Sequence, residues 1–499
     1  MNLLQRNESA DRAEQALRTG VDCLRAEAPP EDGQQSALAA VGLTETVWHA
    51  PRLAALRRRR VLARAFGLAA VLLVLMTGGW VVYADIDPPA PGPDRVLRSP
   101  NAYDVLRTVG GRVTDDKKVA NLLKRLEPAS RARPAARPAA ADLAAAERLL
   151  AENAPVLRDV RRALKTPYEE PPVRSPEHLF THLAGYRKAA RLLALEARVR
   201  AARGDAAGAI DSALDAVALG VHVVRGGVII NRLVGVACES IGREAAWDIA
   251  DRLDARAARG AAQRLERIEG ARIPLADTLE EERRSLLANL RQLMSRPRWR
   301  LELWPQMNPE PRTDHERLTA LALAAWSYRW TKSGILANCD EMMTRMIADA
   351  RSGKFARASA AFTTKDLLAR DPITLALTPA FDGILMTDLA RARVQNRLLM
   401  AKLAVHAFRT ERGRLPRSLE ELVPGYLARV PDDPFLDGRT LRYRRTKEGY
   451  TLYSVGPDRF DNGGEPVASD AQATAGSGRR QQSTQPGAIG DMVAGVNRQ

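Results

Sequence analysis

Two acidic residues on a glycine-rich segment, Asp458 and Asp461, followed by Asn462-Gly463-Gly464-Glu465, are the clearest candidates for chemistry in this chain of 499 residues. Closely spaced oxygen donors on a flexible loop suit calcium, which takes six to eight hard ligands in loose geometry. A solvated Asp/Asn/Gly turn uses the same residue types, and both readings stand. Glu177, His178 and His182 form a second cluster. On a helix the two imidazoles share a face, as a metal site requires. The Glu does not directly follow the first His, so the zinc-protease pattern is absent and a polar helix start is the plainer reading. Gly226-Gly227 lacks the spacing of a phosphate loop, and no Gly-x-Ser-x-Gly turn occurs. Trp299, Trp304, Trp326, Tyr328 and Trp330 are interspersed with Arg296, Arg298, Arg300 and Arg329. These could stack on a sugar or base, or anchor a helical bundle. No catalytic constellation emerges.

The elements that must position these residues are helical. Aromatics are only 5% of the chain while Ala, Leu and Arg dominate, and those residues lose little on entering a helix. The length exceeds one ordinary core. The net charge is +16. Such a charge can mean nucleic acid, an anionic membrane surface or simply an Arg-rich composition; the arginines are scattered along helical faces rather than gathered in one block, which favours the last.

Residues 65–84 read AFGLAAVLLVLMTGGWVVYA, 20 residues without a charge. At about 1.5 Å per residue they span roughly 30 Å, the thickness of a bilayer's hydrocarbon core. Trp80 and Tyr83 sit at the distal end, where aromatic rings favour the interface. Arg57 to Arg60 and Arg64 precede the run, and Asp85 and Asp87 follow it. This asymmetry predicts a single transmembrane helix in the cytoplasmic (inner) membrane, with the N-terminus cytoplasmic and the bulk of the chain exported. Val82-Tyr83-Ala84 resembles a signal cleavage site, but the apolar run is longer than a signal core and about 60 residues precede it, so an uncleaved anchor is expected. Residues 1–60 carry a net charge of +1, which, with Arg64 set aside, leaves +14 beyond the membrane. An exported basic body fits envelope polymers, envelope proteins or lipid headgroups; no nucleic-acid partner is expected.

The expected order is a cytoplasmic leader (1–60), the transmembrane helix (61–85), a Pro-rich spacer with short helices (86–176), a helical domain (177–384), a C-terminal module (385–466) and a disordered tail (467–499). Within the helical domain, 189–202 and 206–219 flank Gly204-Asp205 and resemble one tetratricopeptide-type hairpin, without the 34-residue period of an array. Further helices are expected at 228–253, 257–269, 277–295, 312–330 and 335–350. Cys238 and Cys339 lie in helical surroundings and read as buried, unpaired thiols.

The C-terminal module has its own pattern. Val394, Leu398, Ala401, Val405 and Phe408 form one apolar stripe at helical spacing. Gly413 stops that helix. Ser418-Leu419-Glu420-Glu421 reads as a capping box, Val430-Pro431-Asp432-Asp433-Pro434-Phe435 as a rigid turn, and Leu441 to Val455 as a hairpin turning at Lys447-Glu448-Gly449. The order Gly413-Arg414-Leu415-Pro416, Leu419/Leu422, Val430-Pro431-Asp432-Asp433-Pro434, Tyr443 and Leu452-Tyr453-Ser454-Val455-Gly456-Pro457-Asp458 resembles the C-terminal region of the major pseudopilin of type II secretion systems. The likeness covers about 80 of the 499 residues. It implies a calcium site in the loop after the last strand, with Asp458 and Asp461 as ligands. The chain departs from that family where the spanning segment lies some 300 residues upstream of the module helix, without a peptidase site before it or a Glu within it. Processing and assembly as a pilin subunit are therefore not expected.

The sequence thus predicts a mainly α fold: a single transmembrane helix, a helical-hairpin ectodomain and a small α+β pseudopilin-like module. The functional expectation is a membrane-anchored exported binding or organising protein, with calcium as cofactor. The alternatives are an enzyme acting outside the cytoplasm and a component of a secretion apparatus.

Overall fold

A computed structural model describes residues 94–126, 138–296, 299, 331–352, 383–466 and 490–494, apart from a few single positions within those spans. Eleven helices and a three-stranded sheet are seen among the described residues. They are α1 (Ala102–Arg112), α2 (Asp116–Arg125), α3 (Ala140–Glu152), α4 (Ala154–Ala163), α5 (Leu183–Ala202), α6 (Ala206–His222), α7 (Ile229–Ile249), α8 (Ala255–Gly270), α9 (Leu275–Met294), α10 (Lys332–Arg351), α11 (Gly383–Arg412), β1 (Arg442–Thr446), β2 (Gly449–Ser454) and β3 (Met492–Val493). The mainly helical fold with a small C-terminal sheet agrees with the sequence. Residues 65–84 lie outside the described residues, as do the segment 312–330 and Cys23. Among the described residues no helix is long and apolar enough to cross a membrane.

Local chemistry sets the boundaries. Gly204, with φ +88°, takes the left-handed conformation that ends α5. Asp205 then caps α6, its carboxylate accepting from the Gly208 amide at 2.8 Å. Asp254 does the same for α8 through the Ala257 amide at 2.7 Å.

The central helix is α5, which is buried on nearly every face. It packs against α1 to α4 on one side and against α6 and α7 on the other. The segment 86–176, read from sequence as a spacer, thus supplies four helices to the main core, which runs from Ala102 through α5–α8 to α11. The contact is close: a Cβ on Gly110 of α1 would lie 2.3 Å from the Gly185 Cα of α5. Two smaller clusters join α9 and α10 to the start of α7 and to α11. Cys238 and Cys339 form no disulfide and are buried in separate clusters.

In the C-terminal module, Val394, Leu398, Ala401, Val405 and Phe408 are all buried, against α8 as well as the hairpin. Burial of each larger side chain contributes about 1.5–3 kcal/mol. β1 pairs antiparallel with β2, Tyr443 facing Leu452 and Thr446 facing Gly449. β2 pairs in turn with β3, Tyr453 facing Val493. Part of the tail expected to be disordered therefore completes the sheet, because Met492 and Val493 are buried and β3 covers the edge of β2 that β1 leaves open. The capping box at Ser418 does not form. Leu419–Leu422 is a short 3-10 turn without a side-chain cap, and Glu421 pairs with Arg414 at 2.9 Å.

Candidate functional site

The acidic loop hangs from the end of β2. Asp458 accepts from the Phe460 amide at 3.1 Å and, through its other oxygen, from the Asn462 side chain and the Gly490 amide, each at 3.0 Å. Asp461 accepts from the Tyr453 hydroxyl and the Gly463 amide, each at 3.0 Å. A third carboxylate comes from the returning tail. Asp491 is fully buried and accepts from the Asn462 amide at 3.2 Å and the Gly464 amide at 2.6 Å. Burial, and then the neighbouring Asp461 and Asp458, raise the Asp491 carboxyl against the pull of those amides. In this arrangement the carboxylates serve backbone N–H groups, the pattern of a self-supporting Asx turn. Among the described residues no group of three His, Cys, Asp or Glu side chains is placed to hold a metal ion. Calcium would require Asp458, Asp461 and Asp491 to exchange amide donors for the ion.

The rigid turn before the hairpin is tied to this loop by Asp433. One of its oxygens accepts from the Phe435 amide at 3.0 Å and the Ser454 hydroxyl at 2.8 Å, and the other from the Val455 amide at 3.0 Å. Burial raises the carboxyl while those three donors oppose the rise. Arg397 of α11 holds the adjacent Asp432 at 2.6 Å. The helix, the turn and the base of the acidic loop therefore form one connected unit.

Between the module helix and the helical body lies a buried ionic network. Arg232, Val236, Glu239 and Arg243 step along one face of α7 by four, three and four, and Leu389, Arg393 and Asn396 along the facing side of α11 by four and three. Arg272, in the α8–α9 connection, binds Glu239 at 3.0 and 2.5 Å and Glu269 at 2.5 Å. The Asn396 amide donates to Glu239 at 2.7 Å and Glu269 at 2.8 Å, and its oxygen accepts from Arg243 at 3.0 Å. Burial alone would raise the Glu269 carboxyl, but Arg272 and Asn396 overcome it and hold it at about 2. Burial and nearby guanidinium groups depress Arg232 to about 9 and Arg393 to about 10. Perturbation of this kind, concentrated beside a cavity, marks a candidate functional region.

The histidine pair lies ahead of α5 rather than on a helical face. His182 turns inward, its Nε2 2.8 Å from the buried Glu170 carboxylate, and Tyr168 donates to the same carboxylate. The Tyr168 and Tyr186 hydroxyls are 3.0 Å apart. His178 instead stacks edge-on against Phe180, so the two imidazoles do not share a ligand. Trp299 is buried, as expected of a bundle anchor, while Trp304, Trp326, Tyr328 and Trp330 lie outside the described residues.

Sequence reasoning missed Asp433, Asp491 and the α7–α11 network. The signal for the network was present: Arg232, Glu239 and Arg243 fall at helical spacing on one face of α7 together with the apolar Val236. Scattered placement along helices gives no sign of which arginines are buried, and Arg187, Arg191, Arg198, Arg232, Arg243, Arg391 and Arg397 are. Compared with known proteins, the chain matches no family model, no curated protein and no solved structure.

Proposed function

We propose that the chain is a single-pass protein of the cytoplasmic membrane whose folded body lies on the exported side, where it binds or organises envelope components. The uncharged run Ala65–Ala84, with five arginines on one flank and two aspartates on the other, carries this reading. The C-terminal module is proposed to be a type II pseudopilin-like unit used as a fixed part of the body rather than as a filament subunit. Its helix α11 packs against α7 and α8 within the main core, which supports a rigid presentation of the hairpin and acidic loop. The loop is proposed to take calcium through Asp458 and Asp461, with Asp491 as a third carboxylate.

Alkaline extraction of membranes followed by crosslinking from the exported side tests the proposal. The chain should stay in the membrane pellet and crosslink to envelope proteins or polymers. Release into the alkaline supernatant would overturn the anchor, and crosslinking to cytoplasmic proteins alone would overturn the exported location of the body.

A further inference from the structure

A cavity of about 250 Å³ lies beside the buried network, where α7, the α8–α9 connection, the end of α10, α11 and the module turn meet. Its charged lining is Arg232, Glu269, Arg272 and Arg393, three cations to one carboxylate, with Pro434 contributed by the module. The cations differ in how they are satisfied. Arg272 is saturated by Glu239 and Glu269. Arg232 donates to Thr278 Oγ1 at 2.7 Å and to the carbonyls of Ile273 and Pro274 at 3.1 and 3.0 Å, all neutral acceptors, with no carboxylate bonded to it directly. Arg393 is half-buried, and its buried Nε is without a hydrogen-bond partner. The nearest carboxylates do not release the imbalance: Glu239 and Glu269 are taken by Arg272 and Asn396, and Asp432 by Arg397.

Buried donors and charges without partners are costly, so a folded chain keeps them where something fills the gap or where they serve a ligand. We infer that this cavity is a binding site for a small oxyanion, a phosphate or carboxylate group, held by Arg393 and Arg232 between the helical body and the C-terminal module. Guanidinium groups suit this role because their planar donor fork matches two oxygens of such an anion. The volume is at the small end for ligand sites, which restricts the occupant to an inorganic anion or a short organic acid. Because Pro434 and α11 both line the site, an occupant would brace the seam between body and module. This inference rests on the cavity and its charges and not on the membrane anchor.

The test uses the purified full chain in mild detergent, in buffer with chloride as the only anion. Inorganic phosphate and succinate are titrated by calorimetry and by thermal melting, with chloride matched for ionic strength. Saturable binding of at least one probe is expected, with a melting temperature that rises with its concentration. Arg393→Gln should weaken that binding roughly ten- to a hundredfold, the loss expected of one charge-assisted contact. Without either probe the same variant should melt at or above the wild-type temperature, since it removes a cation whose buried Nε has no partner and which lies among other guanidinium groups; a purely structural arginine would give the opposite. Absence of saturable binding of both probes to the wild type, an undiminished response in Arg393→Gln, or failure of that variant to fold would each overturn the proposal.

Discussion

Replacing Asn396 by Ala probes the seam between helical body and module most sharply. The Asn396 side chain is fully buried and makes three hydrogen bonds, two to the carboxylates of Glu239 and Glu269 and one from the Arg243 guanidinium. A hydrogen bond to a charged group contributes about 1.5–3 kcal/mol, and the three are not additive because Arg272 still serves both carboxylates. A loss of about 3–5 kcal/mol is expected, a large part of the roughly 5–15 kcal/mol that holds a typical domain together. Urea unfolding of the full chain, followed by far-ultraviolet circular dichroism, measures it. Asn396→Asp sharpens the test. A third carboxylate beside Glu239 and Glu269 should cost at least as much at neutral pH, and its own raised pKa should restore part of the loss as the pH falls. A loss below about 1 kcal/mol for Asn396→Ala, or an Asn396→Asp variant as stable as wild type at neutral pH, would refute the reasoning.

Other outcomes follow from named contacts. If the acidic loop takes calcium in the weak range of about 10⁻⁴–10⁻³ M, 10 mM calcium should raise stability by about 1–3 kcal/mol, and Asp458→Ala or Asp491→Ala should abolish the rise; equal melting in calcium and chelator would remove the site. Gly110→Ala should cost about 1–3 kcal/mol by thermal melting, because its Cβ meets the Gly185 backbone at 2.3 Å rather than a side chain that can turn away. Acid should unfold the chain partly through Glu269. Its folded pKa is depressed by Arg272 and Asn396, so its contribution is present above the ordinary carboxylate range and is lost as pH falls through the depressed folded value. Glu269→Gln should therefore flatten the acid limb of a stability-versus-pH curve, and an unchanged limb would contradict the assigned shift.

What was legible in the sequence was periodic. The stripe from Val394 to Phe408 and the alternation of Leu441, Tyr443, Tyr450 and Leu452 report burial directly, because a helix or strand repeats its inward face at fixed spacing. Gly204-Asp205 marked a helix break with a cap, and the structure places both there. What was illegible depended on partners distant in sequence. Arg243 meets Asn396 across 153 positions, and neither residue signals the other locally. Arginine on a helix reads as solvent-facing by default, and only the matching Glu239 and Glu269 make the buried alternative affordable. Asp491 lies in a tail whose Gly, Ser and Gln content reads as disorder. Its role comes from β3 pairing with β2, which four described tail residues around it are enough to establish. The 3-10 turn at Leu419 shows the reverse case: Ser418 and Glu421 had the spacing of a capping box, but Arg414 captures Glu421 first.

The central claim is that a single span near the N-terminus places the folded body beyond the cytoplasmic membrane. Reporter fusions within the living cell test it most directly, with one junction at residue 40 and one just after residue 86. A reporter active only when exported should work after residue 86 and be silent at residue 40, and a reporter active only in the cytoplasm should show the converse. The opposite pattern, or cytoplasmic activity at both junctions, would contradict it.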